Sequence, residues 1–388
     1  MLRVSILGST GSIGSSTLEV IQNNIDKFSI FLLSAKSNNK KILEQCQKFR
    51  PAYAHLENKE SAKILKEELS KMGINTKVIW EEEKCLELIS DSSVDVVVAG
   101  VVGIAGLKSV YHAINYGKRV LLANKEAYIV AGELLNSLAF EKGALIFPID
   151  SEHSAIHQCI SGSDNIHKDV SKLILTGSGG PFLKTDKKRL HKITPQQAIS
   201  HPIWKMGKKI SVDSANLMNK VFEIMEASKM FNFDLEKYKI LIHPQSYVHS
   251  IIHFKNGLIK MILYNADMRI PISNTLYRKK NKFFNTSKIS TKILNKLNFQ
   301  KVNAKHFPSV KLINKCINSG FSTPIIINAS NEVLVNLFLR EKIGFLDIVK
   351  IIKRIFKDKD FKKYATRQPK TIKDIKIADN WARLKTIN

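Results

Sequence analysis

Acidic residues are in short supply: 34 Asp and Glu stand against 61 Lys and Arg, a formal net charge of +27. Cysteine is scarce too, and Cys46, Cys85, Cys159 and Cys316 lie far apart with no CxxC pair. This excludes a disulfide framework or a zinc ribbon and suits reduced core thiols. No uninterrupted apolar run reaches membrane-spanning length, so no membrane partner is expected. Met1-Leu2-Arg3 passes directly into the apolar residues 4–7, without the pattern of a signal peptide, and the expected localisation is cytoplasmic. The lysines are spread along the chain instead of gathered in a tail, and no RNP-like or helix-turn-helix signature accompanies them. A solvated surface that steers an anionic substrate is therefore expected, and no nucleic-acid partner.

What is present begins with a short apolar strand at 4–7, then Gly8-Ser9-Thr10-Gly11-Ser12-Ile13-Gly14, then a helix-like stretch at 15–22. Strand, glycine turn and helix in that order form the phosphate cradle of a Rossmann unit, here with GxxGxxG spacing. A second strand at 29–33 ends in Ser34-Ala35-Lys36-Ser37-Asn38-Asn39-Lys40-Lys41. An NAD enzyme would place an acid here for the ribose hydroxyls. Three lysines suit a 2′-phosphate instead, so the expected cofactor is NADPH. Further strands at 94–99 and 119–123, separated by helical segments, give the alternation of a doubly wound parallel sheet. In such sheets ligands bind outside the carboxyl ends of the strands, which places Asn124, Lys125, Glu126, Asp150 and Glu152 along one crevice.

The apolar run 144–149 reads as another strand, so Asp150 and Glu152 fall at its end, two residues apart and on one side of the backbone. Two carboxylates aimed at one point suit Mg²⁺ or Mn²⁺, with Co²⁺ as a third candidate. The plainer reading is that Asp150 or Ser151 caps a helix starting near His153. Downstream, Thr176-Gly177-Ser178-Gly179-Gly180 is a glycine turn that could cradle a phosphate or merely reverse the chain. His201-Pro202-Ile203-Trp204-Lys205-Met206-Gly207 places a Trp and a Met in a loop without helical or strand period, which suits a lid over a ligand. A helix is expected from 215 to 230 with Ser214 as its N-cap; Asn219, Lys220 and Glu223 share one arc of it. Lys220 and Glu223 could equally be a solvated pair, and Glu226 lies on nearly the same face as Glu223. Residues 243–265 read as a hairpin about Asn256-Gly257, and 308–317, 324–342, 345–356 and 372–384 as helices.

Taken in order, residues 8–14, Ala-Asn-Lys-Glu at 123–126, Asp-Ser-Glu-His at 150–153 and Leu-Thr-Gly-Ser-Gly-Gly-Pro-Phe at 175–182 resemble the 1-deoxy-D-xylulose 5-phosphate reductoisomerase family. The resemblance continues through residues 201–207, Lys-Ile-Ser-Val-Asp-Ser-Ala at 209–215 and Ile-His-Pro-Gln-Ser at 242–246. It implies an α/β protein with an N-terminal Rossmann-like domain (1–149) that binds NADPH. It further implies a central α/β catalytic domain (150–277) with a lid near 179–208, a linker (278–303) and a C-terminal helical bundle (304–388). The implied reaction is the NADPH- and metal-dependent conversion of 1-deoxy-D-xylulose 5-phosphate to 2-C-methyl-D-erythritol 4-phosphate in non-mevalonate isoprenoid synthesis. A homodimer and sensitivity to phosphonohydroxamates such as fosmidomycin are implied as well.

On the matching positions the resemblance makes Asp150, Glu152 and Glu223 the metal ligands, choosing Glu223 over Glu226. Ser178, Ser214, Asn219 and Lys220 take the substrate phosphate, while Lys125, Ser151 and His201 face the reacting carbon chain. Trp204 and Met206 close over substrate and nicotinamide. Thr10, Gly11, Ser12, Ile13, Asn38, Asn124, Glu126 and Gly207 contact the cofactor. The chain departs from the family where Lys36 and Ser37 replace the usual Gly-Lys, which moves the expected 2′-phosphate contact onto Lys36. Ala127-Tyr128 and Ile203 are further departures. A related NADP-dependent semialdehyde or sugar-phosphate dehydrogenase, needing no metal, and a nucleic-acid-binding protein on a dinucleotide fold are the competing readings.

Overall fold

The structure, a computed structural model, describes residues 1–388 except 164, 205, 278–285, 287, 288 and 388. Ten positions of the expected linker and Lys205 of the expected lid thus lie outside the described residues. The chain forms two units: Met1–Ala127 with Leu135–Ser154 and Asp267–Thr286, and Tyr128–Leu134 with Ala155–Ala266 and Ser287–Asn388. Among the described residues no helix is long and apolar enough to cross a membrane.

The first unit is built on strands β1 (Leu2–Leu7), β2 (Phe28–Ala35), β3 (Tyr53–Leu56), β4 (Lys77–Ile79), β5 (Val96–Ala99), β6 (Arg119–Leu122) and β7 (Leu145–Pro148). They pair in parallel in the order β4-β3-β2-β1-β5-β6-β7. The inner strands are near-continuous apolar runs because helices cover both faces of the sheet, so no solvent face calls for alternation. Val4, Ile6, Leu33, Ala54, Val96, Val98 and Leu121 make its buried centre. The chain winds outward from β1 in one direction and from β5 in the other, so the order reverses between these two strands. That reversal opens a crevice at their carboxyl ends. Gly8 sits there with φ +76, and a Cβ on it would lie 2.7 Å from the Gly100 carbonyl oxygen. Only glycine lets the loops after β1 and β5 approach so closely.

The second unit holds β8 (Val170–Gly177), β9 (Tyr238–Ile242), β10 (Val248–Phe254), β11 (Ile259–Leu263) and β12 (Gln300–Lys301) in the order β11-β10-β8-β9-β12. β8 and β9 are parallel and the other pairs antiparallel, with β10 and β11 forming the hairpin about Asn256-Gly257. β12 lies within the stretch expected to be linker and pairs with β9. One face of the sheet packs on the Met218–Phe231 helix through Leu173, Leu175, Ile224 and Ala227. Helices Leu312–Ser319, Thr323–Leu339, Asp347–Ile355 and Ile372–Ile387 follow, with the short Phe361–Ala365 helix between the last two.

The expected helix at 215–230 is corrected in one respect. Ser214 is not an N-cap; it lies in the last turn of a preceding helix, Lys208–Ala215. Leu217 then adopts φ +60, and Asn216 Oδ1 accepts the Met218 N–H at 2.9 Å, starting a new helix at Met218. Residues 208–215 become helical because Val212 and Ala215 are buried in the same core as Met218 and Phe222. That burial outweighs the local capping preference of Ser214.

Candidate active site

In the first unit the crevice is stitched by side chains at the end of β6. Asn124 caps the Lys125–Lys142 helix, its Oδ1 accepting the Ala127 N–H at 2.7 Å, while its Nδ2 donates to the carbonyls of Val101 and Gly103. Glu126 accepts the Gly103 N–H at 3.3 Å. Asn124 and Glu126 are both buried, so the loops after β5 and β6 are held as one surface. Next to them the first turn of the Ser12–Gln22 helix, containing Ser12 and Ile13, has no side-chain cap and no acidic residue. Its unsatisfied N–H groups and dipole favour an anion. Lys36, Ser37 and Asn38 are exposed beyond the end of β2, and Asn38 caps the Asn39–Phe49 helix.

Lys125 is not an ordinary surface lysine. Its side chain is only 12% exposed, and Nζ lies 2.7 Å from Asp150 Oδ2. The strand-end geometry expected for Asp150 and Glu152 is corrected: the helix begins at Ser151, so Glu152 sits in its first turn. Asp150 starts that helix itself, taking the Ser151 N–H on Oδ1 at 3.0 Å and the Ser154 N–H on its carbonyl at 2.8 Å. Glu152 accepts from the Ser151 hydroxyl at 2.5 Å. Asp150 is therefore both a cap and an ion-pair partner of Lys125.

In the second unit the glycine turn after β8, Ser214 and Lys220 form one cluster. Gly180 has φ +66, and a Cβ on it would lie 2.9 Å from the Ser214 carbonyl oxygen. A Cβ on Gly177 would meet Lys220 Cε at 2.9 Å, so the lysine stem lies against the turn. Lys220 donates to Glu223 Oε2 at 2.5 Å, and Asn219 Nδ2 donates to Oε1 at 2.6 Å. Lys220 and Glu223 are 5% and 1% exposed, which rules out a solvated pair. Glu226, at 2%, is equally buried, so burial does not separate the two glutamates.

His201 joins this cluster in a defined protonation state. Its Nδ1 accepts backbone N–H bonds from Ile203 at 3.2 Å and Trp204 at 2.9 Å. That nitrogen carries no proton, so the proton is on Nε2, which donates to Ser178 Oγ at 3.0 Å. Burial, and then the nearby Lys220 charge, push His201 down to about 4, so the ring is neutral at neutral pH. Ser178 Oγ also accepts the Gly180 N–H at 3.1 Å. With both of those bonds accepted, its own hydroxyl hydrogen is left to donate to an anionic ligand. Trp204 is half-buried and meets His249 edge-on at 6.2 Å, and His249 stacks on Tyr264 at 3.9 Å. Met206 is half-buried and Gly207 leads into the Lys208–Ala215 helix. No motif in the sequence marks the His249–Tyr264 platform; its only local signal is the aromatic residues near the open ends of both hairpin arms.

Comparison with known proteins agrees along the chain. Residues 4–132 match the 1-deoxy-D-xylulose 5-phosphate reductoisomerase family, residues 146–231 its C-terminal domain, and residues 263–385 the DXP reductoisomerase C-terminal domain. The reductoisomerase of Saccharophagus degradans is 41% identical over 385 residues, covering 99% of this chain and 97% of that protein. That of Cupriavidus metallidurans is 40% identical over 384 residues, covering 99% and 97%. A crystal structure of DOX-P reductoisomerase in complex with NADPH, fosmidomycin and magnesium superposes with a TM-score of 0.94 at 34% identity, covering 100% and 98% of the two chains. The Zymomonas mobilis enzyme in complex with NADPH gives a TM-score of 0.89 at 35% identity, covering 99% and 98%. With the motifs, the fold and full-length relatives all in accord, this chain belongs to the 1-deoxy-D-xylulose 5-phosphate reductoisomerase family.

Proposed function

We propose that the chain converts 1-deoxy-D-xylulose 5-phosphate to 2-C-methyl-D-erythritol 4-phosphate by rearrangement and NADPH-dependent reduction, with a divalent cation held by Asp150, Glu152 and Glu223. The observation that carries this reading is the pairing of a half-buried and a buried carboxylate with ammonium groups: Lys125 on Asp150 and Lys220 on Glu223. A site of hard carboxylate oxygens fits Mg²⁺ or Mn²⁺, and the lysines balance the same negative charge that such a cation would. When bound, the cation supplies Lewis-acid polarisation of the ketone and acidifies a neighbouring hydroxyl.

The chain's own residues do the rest. Lys220, drawn off Glu223, offers its charge to the substrate phosphate beside Ser178, whose hydroxyl hydrogen is already oriented by His201 and Gly180. Lys125 stabilises negative charge developing on the carbon chain, with Ser151 beside it. Neutral His201 adds no positive charge and gives its one N–H to Ser178 Oγ, and Trp204 on its aromatic platform excludes water. The Thr10–Ile13 loop and Asn38 hold the dinucleotide, while Asn124 and Glu126 fix the loops around it.

The active form is a homodimer joined through β11. This edge strand of the five-stranded sheet leaves Ile259 and Met261 54% and 44% exposed, with Leu258 just ahead of it at 58%, an apolar edge suited to a second copy. The four buried, unpaired cysteines suit the reducing cytoplasm.

The test follows NADPH absorbance with 1-deoxy-D-xylulose 5-phosphate, first with Mg²⁺ or Mn²⁺ and then with EDTA, for wild type and Glu223→Gln. Metal-dependent oxidation lost in the variant is expected. Oxidation that survives both EDTA and the substitution would favour a metal-free dehydrogenase. Sedimentation of Met261→Glu is expected to show a monomer.

A further inference from the structure

The three lysines after β2 are alike in sequence but not in place. Lys36 and Lys40 are exposed, whereas Lys41 is half-buried with Nζ 2.9 Å from the Thr10 carbonyl oxygen. One turn further along the same helix, buried Gln45 donates from Nε2 to the Ser9 carbonyl at 2.9 Å. Positions 41 and 45 are i and i+4, so one helix face carries both donors. The helix is in turn anchored by Asn38, whose side chain accepts the Lys41 N–H at 3.1 Å. The glycine loop is held from its other side as well, Ser9 N donating to Ser34 O at 2.8 Å and Gly11 N to Gly8 O at 3.0 Å. The Thr10–Gly11 peptide is thus fixed at both ends, its carbonyl by Lys41 and its N–H by Gly8. This leaves the uncapped first turn of the Ser12–Gln22 helix as the anion-facing part of the loop.

We propose that Lys41 is a positioning residue for the dinucleotide, holding the glycine loop in its pyrophosphate-receiving shape, and takes no part in reading the 2′-phosphate, which the family resemblance already assigns to Lys36. This rests on the NADPH reading above and divides the lysine cluster into two jobs. A brace on the loop supports a cofactor with or without the 2′-phosphate, because the pyrophosphate is common to both. A residue that reads the 2′-phosphate discriminates between them.

The test measures NADPH and NADH binding to the full chain by calorimetry, for wild type, Lys41→Met, Lys41→Arg and Lys36→Met, with steady-state kinetics alongside. Lys41→Met is expected to weaken both nucleotides by about tenfold, the low end of what a hydrogen bond from a charged group contributes, leaving their ratio unchanged. Lys41→Arg recovers most of that loss, and kcat at saturating NADPH stays within about twofold of wild type, as for a residue acting on binding alone. Lys36→Met weakens NADPH and spares NADH. Loss confined to NADPH in Lys41→Met, or no loss at all, would overturn the role of Lys41. Wild type that binds neither nucleotide would overturn the cofactor reading itself, and the role with it.

Discussion

Lys220→Met tests whether the Lys220–Glu223 pair is a buried charge pair with a function or an incidental contact. The substitution keeps the length of the stem against Gly177 and removes the ammonium from a carboxylate that is 1% exposed. Breaking a buried pair from one side costs about 3–5 kcal/mol, because the remaining charge stays in low dielectric. The Asn219 bond to the same carboxylate survives and offsets about 1 kcal/mol, so a loss of about 2–4 kcal/mol is expected. Urea denaturation of the ligand-free protein measures it, and the double variant Lys220→Met/Glu223→Gln should recover more than half, since the uncompensated charge is then gone. A second readout comes from His201. Lys220 helps to depress its pKa, so the variant's imidazole should titrate above the wild-type value of about 4, yet still below a free histidine because burial is the larger cause. The reasoning fails if Lys220→Met costs under about 1 kcal/mol, if the double variant is no better than the single, or if the His201 NMR titration does not move.

Two other outcomes follow from the same geometry. Because the folded-state pKa of His201 lies below its unfolded value, the folded state binds fewer protons through that window. Its contribution to stability is present above pH ~6.5 and is lost as pH falls toward about 4, where protonated Nδ1 can no longer accept the Ile203 and Trp204 N–H bonds. Acid titration followed by Trp204 fluorescence, with His201→Gln as the control, should show this step and its disappearance. Gly180→Ala forces a Cβ onto a residue with φ +66 at 2.9 Å from the Ser214 carbonyl. The backbone conformation alone costs about 1–2 kcal/mol, so thermal stability should fall and KM for the substrate rise as Ser214 shifts; an unchanged KM would separate this turn from substrate binding.

The order of motifs along the chain made much of the fold readable in advance. The glycine turn after β1, the apolar parallel strands and the Asn256-Gly257 hairpin are signalled locally, because backbone conformation and two-sided burial leave a direct imprint on residue type. The loop after β2 was readable as cationic and acid-free, and the Trp and Met within residues 201–207 as fitting no helical or strand period. Which lysine does what was not readable. Lys36, Lys40 and Lys41 have the same chemistry, and only the packing of the Asn39–Phe49 helix beside the glycine loop brings Lys41 to the Thr10 carbonyl.

The same limit applies to the second unit. A sequence window weighs Ser214 as a cap, but burial of Val212 and Ala215 makes it part of a helix, and Leu217 takes the left-handed turn that starts the next one. The pairing of Lys220 with Glu223 was visible as an i, i+3 spacing, yet whether it is solvated or buried depends on Gly177 packing against the lysine stem. The neutral state of His201 likewise depends on the backbone N–H groups of Ile203 and Trp204 and on the nearness of Lys220. By itself the sequence determined the chemical types, their order and the local turns, since these follow from each residue's own conformational and polar preferences. Only the tertiary structure decided which groups are buried, paired and held in a single protonation state, because those properties belong to contacts between residues far apart in the chain.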